Sequence, residues 1–399
     1  MHTQQEMIEQ GKEYLLKTYA QVPVVFSGGK GCTLTDVEGK EYLDFVGGIA
    51  VNALGYGDEG LTKALSDVLE SGLLHCSNLY YNERAIKAAK ALCDLAEMDK
   101  VFFCNSGAEA NEAALKLSRK FGHLNTPART EVITMKDSFH GRTYASVTAT
   151  GQPKYHLHFD PLPQGFKYAR FNDLASVEEL ITEQTCAILV EPIQGEGGVV
   201  PATKEFLQGL RELCDEHDLL LIYDEVQCGM GRSGKPFAWQ LFDVKPDVLT
   251  LAKALAGGVP CGAMLTNERT SSVLGPGDHA STFGGNALAM AGVNEMTHRL
   301  GETSLCNQVT EKGVYLRAKL EELQKKYPTL CTAVRGFGLM NGMALTIPPR
   351  QVVDACFAKG LLVLSAGSDV LRFVPPLVIS KAEIDTAMVI VDEVLAALC

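Results

Sequence analysis

One tryptophan, no block of lysines and arginines, and no unbroken apolar run long enough to cross a membrane set the first limits on this 399-residue chain. The formal net charge is −12. An acidic surface without a basic cluster excludes non-specific attraction to nucleic acid or to anionic membranes. Neither partner is expected, and anionic substrates would need a few placed arginines to reverse the local field. The first twenty residues, MHTQQEMIEQGKEYLLKTYA, are polar and lack the apolar core of a secretory signal. Twelve cysteines are present but scattered, without a C-x-x-C pair. Several, such as Cys104 and Cys186, sit in apolar runs where a thiol simply packs. Reduced thiols in a cytoplasmic enzyme are the expectation. The pair His156 and His158 has no cysteine or carboxylate at ligand spacing, so no metal is expected.

What is present is a soluble, globular composition, 46% hydrophobic and 21% charged, in a chain long enough for a large core and a smaller companion domain. Residues 5–19 read as a short amphipathic helix. CTLTDVEGKEYLDF alternates around Glu38-Gly39 as a hairpin does. From about residue 60, helical patterns alternate with short apolar runs: KVFFC, EVITM, CAILVEP, LLLIYDE and DVLTLAK. Such runs predict an α/β fold with a mainly parallel sheet covered on both faces. After about residue 300 a charged helix, two or three strand-like pieces and a final helix predict a smaller α+β domain. The division expected is 1–55, packing with the small domain, 56–295 as the large domain, and 296–399 as the small one.

In open α/β sheets ligands sit beyond the carboxyl ends of the strands. The polar residues ending each apolar run therefore belong together: Ser106-Gly107, Ser138 to Arg142, Glu191, Asp224-Glu225 and Lys253. NSGAEANEAALKL passes from strand to helix through Ser106, a capping residue, and such a terminus directs N–H groups at an anion, typically phosphate. Asp224 ends a strongly apolar strand and needs a cation: an internal salt bridge, a helix cap, or a protonated pyridine nitrogen would answer it. Lys253 ends the next apolar run, PDVLTLAK, before small residues. A desolvated lysine can lose its proton and bond covalently to an aldehyde, whereas a snorkelling lysine would do neither. Phe139 offers a face for a flat ring, and Arg142 a guanidinium for a carboxylate. Gly229, Gly231 and Gly234 match G-x-G-x-x-G, but DEVQC separates them from the strand and Pro236 stands where a phosphate loop needs Ser or Thr. They are expected to shape a turn.

Taken together these segments resemble the class III pyridoxal-phosphate aminotransferases. LIYDEVQCGMGRSGKPFAW followed by PDVLTLAKALAGGVPCGA is similar to that family's signature, and NSGAEANEAALKL, FHGRTYAS, EPIQGEGG and STFGGNALA follow its order. The resemblance spans nearly the whole chain. It implies fold type I, with a mostly parallel seven-stranded sheet, and a homodimer with sites at the subunit interface. It implies pyridoxal 5'-phosphate held covalently by Lys253, its ring nitrogen paired with Asp224 and its phosphate cradled by Ser106, Gly107 and Ala108 with the partner subunit's Thr282. Phe139 and Val226 would sandwich the ring and Gln227 would lie near its phenolic oxygen. Arg142 and Ser281 would hold the carboxylate remote from the reacting amine, and Glu191 would mask Arg372 until 2-oxoglutarate arrives. Within the family the likeness is to members acting on N2-acetyl-L-ornithine, because Gly48 stands where ornithine-specific members carry a tyrosine. Ornithine, succinylornithine, 4-aminobutyrate and lysine-pathway amines are the neighbouring alternatives. GYGDEG departs from the family's Gly-His-x-His-Pro, so a changed loop is expected there.

Overall fold

Strands that are apolar on both faces have to be covered on both faces, and the middle of the chain is built that way. The structure is a computed structural model and describes residues 3–399; residues 1 and 2 of the expected 1–55 segment lie outside the described residues. Its main sheet has seven strands. From edge to edge they are Lys100–Cys104, Gly262–Thr266, Val248–Leu251, Leu220–Asp224, Thr185–Val190, Glu131–Met135 and Phe166–Ala169. Only Gly262–Thr266 runs antiparallel to its neighbours; the remaining pairs are parallel. Every residue of Thr185–Val190 and Leu220–Asp224 is buried.

The two faces of that sheet feed two cores. Ile188, Leu221 and Tyr223 pack with Leu207 and Leu210 of the helix Lys204–Glu216. Leu189, Leu220 and Ile222 pack with Ala113, Ala114 and Leu117 of the helix Gly107–Gly122. Alternate residues of one strand serve opposite cores, as strand geometry demands. Each fully buried Leu or Ile contributes about 1.5–3 kcal/mol.

A second body of sheet lies at the chain ends. Thr33–Asp36 and Glu41–Asp44 form the hairpin read from the sequence, and Leu361–Leu362 adds to its edge beside Leu43 and Asp44. Cys331–Phe337, Met340–Leu345, Val370–Phe373 and Leu364–Ala366 make a four-stranded antiparallel sheet, with helices Ser304–Lys326 and Lys381–Leu398 in the same region. With Leu361–Leu362, five strands stand after residue 300 where two or three were expected.

Two further expectations differ. The first helix covers Gln4–Tyr14 rather than 5–19; Thr3 and Glu6 close a capping box, and none of its residues is buried, so no packing extends it past Leu15. After Pro236, where PFAW offers no helical start in the sequence, a short helix, Ala238–Phe242, forms. Its start is made by Glu225, which accepts from the N–H of Ala238 at 2.5 Å and of Trp239 at 2.7 Å. A cap supplied from thirteen residues upstream leaves no local sign in PFAW. The glycines at 229–235 form turns, and between them Arg232 donates to the carbonyls of Leu339 and Pro375, tying the large sheet's loop to the C-terminal sheet.

Burial pushes the Glu225 carboxyl up to about 8, with the two N–H donors opposing. Between the ordinary value of 4.5 and about 8 the folded chain therefore holds a proton that the unfolded chain has released. This group's stabilising contribution is complete below that window and is lost as pH rises, by about 1.4 kcal/mol per unit. Urea unfolding of the wild type and of Glu225→Gln at about pH 5 and about pH 8 checks this. The wild type should lose stability relative to the variant on going to the higher pH; a constant difference would contradict it.

Candidate active site

Five strand ends of the large sheet open onto one cavity of about 460 Å³. Ser106, Gly107, Ala108, Phe139, Arg142, Glu191, Asp224, Val226, Gln227 and Lys253 all line it, although they are spread over nearly 150 positions of the chain. The topology alone brings them there, because each follows a strand pointing the same way or the loop after it.

Ser106 is the N-cap of the helix Gly107–Gly122, its hydroxyl accepting from the Glu109 N–H at 3.2 Å. The N–H groups of Gly107 and Ala108 lie in the first turn, where an α-helix offers them no acceptor. A Cβ on Gly107 would stand 2.8 Å from a Val226 methyl, so only backbone fits between that turn and the cavity wall. This is a cradle for a phosphate-sized anion.

At the cavity floor Asp224 is 3% exposed. Its Oδ2 accepts from His140 Nδ1 at 2.8 Å and from Asn111 Nδ2 at 2.7 Å, while Oδ1 accepts only the Val226 N–H at 3.0 Å. Asn111 is itself fixed, donating also to the His140 carbonyl and accepting from Thr250 Oγ1. A carboxylate aimed by three donors has room at Oδ1 for one cationic N–H. A protonated pyridine ring with a phosphate arm fits this donor set. His140 was placed at this edge by sequence within Ser138 to Arg142 but given no role, and Asn111 was not singled out; its pointer was an asparagine on the inner face of an alanine-rich helix.

Lys253 follows Leu251 at a backbone φ of +48°, and it is partly buried. Burial pushes its amine below the ordinary lysine value, opposed chiefly by Glu196. An amine so placed spends more time as a nucleophile than a solvated lysine does. Arg142 is exposed and stacks its guanidinium 3.9 Å from the centre of the Tyr155 ring and 5.4 Å from that of Phe139. Tyr155, absent from the sequence reading, holds this arginine at the cavity mouth.

The structure corrects one assignment. Glu191 does not face Arg372. Its Oε1 accepts from the Phe139 N–H at 2.9 Å and its Oε2 from the Gly195 N–H at 3.2 Å, so it ties two loops together, and burial raises its pKa. The partner of Arg372 is Glu196, whose Oε1 lies 2.6 Å from Nη1. Two glutamates occur in EPIQGEGG, and the turn after the first carries the second toward the arginine. The charge of Arg372 holds Glu196 below the usual carboxylate range against its burial.

Ser281 and Thr282 are not on the cavity wall. Ser281 Oγ accepts from Asn105 Nδ2 at 3.0 Å, and Asn105 does line the cavity. Thr282 is exposed in a separate depression with Asn78, Phe102 and His279.

The segment just before GYGDEG has a definite shape. Gly47, Gly48, Ile49 and Ala50 all have φ between +55° and +64°, a single left-handed turn. Asp44 Oδ1 accepts from the N–H groups of Val46 and Gly47, and its Oδ2 accepts the Tyr56 hydroxyl at 2.6 Å. Tyr56 of GYGDEG thus braces the turn that leads into Val51, a cavity residue, and Gly48 puts no side chain into that space.

The comparisons agree with this geometry. Residues 14–395 match the family model described as aminotransferase class-III. The chain is 47% identical to the acetylornithine aminotransferase of Clostridium acetobutylicum, over 96% of this chain and 99% of that one. It is 46% identical to a succinylornithine transaminase of Yersinia pseudotuberculosis, over 93% and 92% of the two chains. Among solved structures, the ornithine aminotransferase of Toxoplasma gondii superposes with a TM-score of 0.95 at 32% identity, covering 100% of this chain and 96% of that one. With a lysine, a buried aspartate and an anion cradle in one cavity, the chain belongs to the class-III aminotransferases.

Proposed function

We propose that this aminotransferase moves the terminal amino group of N2-acetyl-L-ornithine to 2-oxoglutarate, giving N-acetyl-L-glutamate 5-semialdehyde and L-glutamate, with pyridoxal 5'-phosphate as cofactor. The observation that carries the reading is the buried Asp224, aimed by His140 and Asn111, in the same cavity as Lys253 and the start of the helix Gly107–Gly122. When bound, pyridoxal phosphate supplies an aldehyde that takes up the amino group and a protonated ring that accepts the electron pair freed at the substrate carbon.

The chain's own residues do the rest. Asp224 keeps the ring nitrogen protonated, since a carboxylate in so dry a place favours a cation beside it. The Gly107 and Ala108 N–H groups, with Ser106, hold the phosphate, and Phe139 and Val226 flank the ring. Lys253 holds the cofactor between turnovers; once displaced, its amine takes the proton from the substrate carbon, as a base whose pKa lies nearer neutrality does best. Arg142, stacked on Tyr155, takes the donor's carboxylate together with Ser281, which accepts from the cavity residue Asn105. Glu196 covers Arg372 during the donor half-reaction and leaves it for the acceptor's carboxylate in the second.

Two features favour an acylated donor. Gly48 leaves room where a side chain would contact a free α-amino group, and the relative at 47% identity is named for the acetylated substrate. A succinylated donor is the second reading, favoured by the 46% identical succinylornithine transaminase. Discrimination between acyl groups in one pocket is worth about 1–3 kcal/mol per methylene. The reading also includes a homodimer, the three-part division of the chain given above and a cytoplasmic setting. Leu79, Tyr81 and Phe283, 86%, 94% and 60% exposed around the depression that holds Thr282, are an apolar surface suited to a second copy. Among the described residues no helix is long and apolar enough to cross a membrane.

Two measurements test this. The yellow holoenzyme should bleach fastest with N-acetylornithine and regain colour with 2-oxoglutarate; faster bleaching by ornithine or 4-aminobutyrate would move the substrate assignment. His140→Ala should bind pyridoxal phosphate at least about tenfold more weakly, the cost of losing one hydrogen bond to a buried charge, and bleach more slowly. Unchanged cofactor affinity and bleaching rate in that variant would remove His140 from the account.

A further inference from the structure

We infer that Gln227 is the fixed jaw of the gate over Arg372, a positioning residue that helps decide which of the two substrates the site admits. The inference rests on the assignment of Arg372 to the acceptor's carboxylate.

Three side chains meet in one closed ring. Arg372 Nη1 donates to Glu196 Oε1 at 2.6 Å and to Gln227 Oε1 at 2.9 Å. Gln227 Nε2 donates in turn to the same Glu196 oxygen at 3.1 Å. One amide thus grips the arginine with its carbonyl and the glutamate with its NH₂. Arg372 and Gln227 are 1% and 6% exposed, so neither group finds these partners in water. The amide is pinned from behind as well: a Cβ on Gly195 would lie 2.2 Å from Gln227 Oε1, so the backbone of the loop that carries Glu196 closes directly against it. Among the described residues Arg372 Nε finds no partner, leaving a donor for an incoming carboxylate.

Opening the gate changes the two halves of the amide differently. When Glu196 turns away, the Nε2 bond is broken, while the Oε1 bond to Arg372 need not be. Gln227 therefore stabilises the closed state through Nε2 and holds the guanidinium at one place in both states through Oε1. An arginine held in place loses less freedom when it takes up a dicarboxylate, and a bidentate pair demands that placement. A residue with no more than a packing role would affect both states equally.

The test is a double-mutant cycle read by calorimetric titration of the pyridoxal-phosphate-loaded enzyme with glutarate, a dicarboxylate with neither amine nor ketone. Glu196→Ala should bind glutarate more tightly than wild type. Gln227→Met, matched in length, should weaken binding about tenfold in the Glu196→Ala background, the lower end for a hydrogen bond to a charged group. With Glu196 present the same substitution should cost several-fold less, because the broken latch offsets the lost jaw. Equal penalties in the two backgrounds, or none in Glu196→Ala, would overturn the inference. Gln227→Glu keeps an oxygen on Arg372 but answers its charge permanently, so glutarate should bind more than tenfold more weakly; wild-type affinity there would also overturn it. Arg372→Ala serves the parent assignment separately: glutarate binding that survives this change would sink the role of Arg372, whatever Gln227 does.

Discussion

A carboxylate held out of water at the end of a central strand needs its charge answered, and the site is arranged around that need. Asp224 closes a strand of which every residue is buried. Left unpartnered, such a charge would take up a proton or cost several kcal/mol. Three donors aim the carboxylate and leave room at Oδ1 for one cationic N–H. The helix start with its free N–H groups and the lowered amine of Lys253 stand around the same cavity, so one flat, anionic, ring-protonated molecule can satisfy all of them at once.

That constraint also explains the division of labour between the two sheets. On the proposed reading, the large sheet supplies the groups that hold the cofactor and move the proton. Arg372, the arginine proposed for the second substrate, comes from the C-terminal sheet, on Val370–Phe373, and is separated from the cavity by Glu196 and Gln227. Arg232, fully buried, ties the loop after Asp224 to Leu339 and to Pro375 just beyond that strand. The left-handed turn 47–50, braced by Asp44 and Tyr56, lies against the same segment: Val374 donates its N–H to the Phe45 carbonyl. The distance between Arg142 and Arg372 thus depends on contacts between the sheets.

Much of this was legible in the sequence for a physical reason. Asp224 and Lys253 each end a short apolar run, and a polar residue in that position of a parallel sheet faces the ligand edge. Ser106 was legible because a cap and a helical period adjoin it. The less legible parts depend on pairing across the chain. Glu191 and Glu196 lie five residues apart in one glycine-rich segment, and only the folded turn decides which of them meets Arg372, 176 positions away from Glu196. The helix at Ala238 forms because a buried Glu225 caps it. Tyr56 reads as an anomaly until Asp44 is seen to need a donor. Local propensity records none of these.

The central claim is that Lys253 is half-buried beside Asp224 because it carries the cofactor covalently. Borohydride reduction of the yellow enzyme followed by peptide mapping tests it most directly. The account predicts a single stable pyridoxyl adduct on the peptide containing Lys253, and none after Lys253→Ala. An adduct on another lysine, or a purified protein that takes up no pyridoxal phosphate, would contradict it.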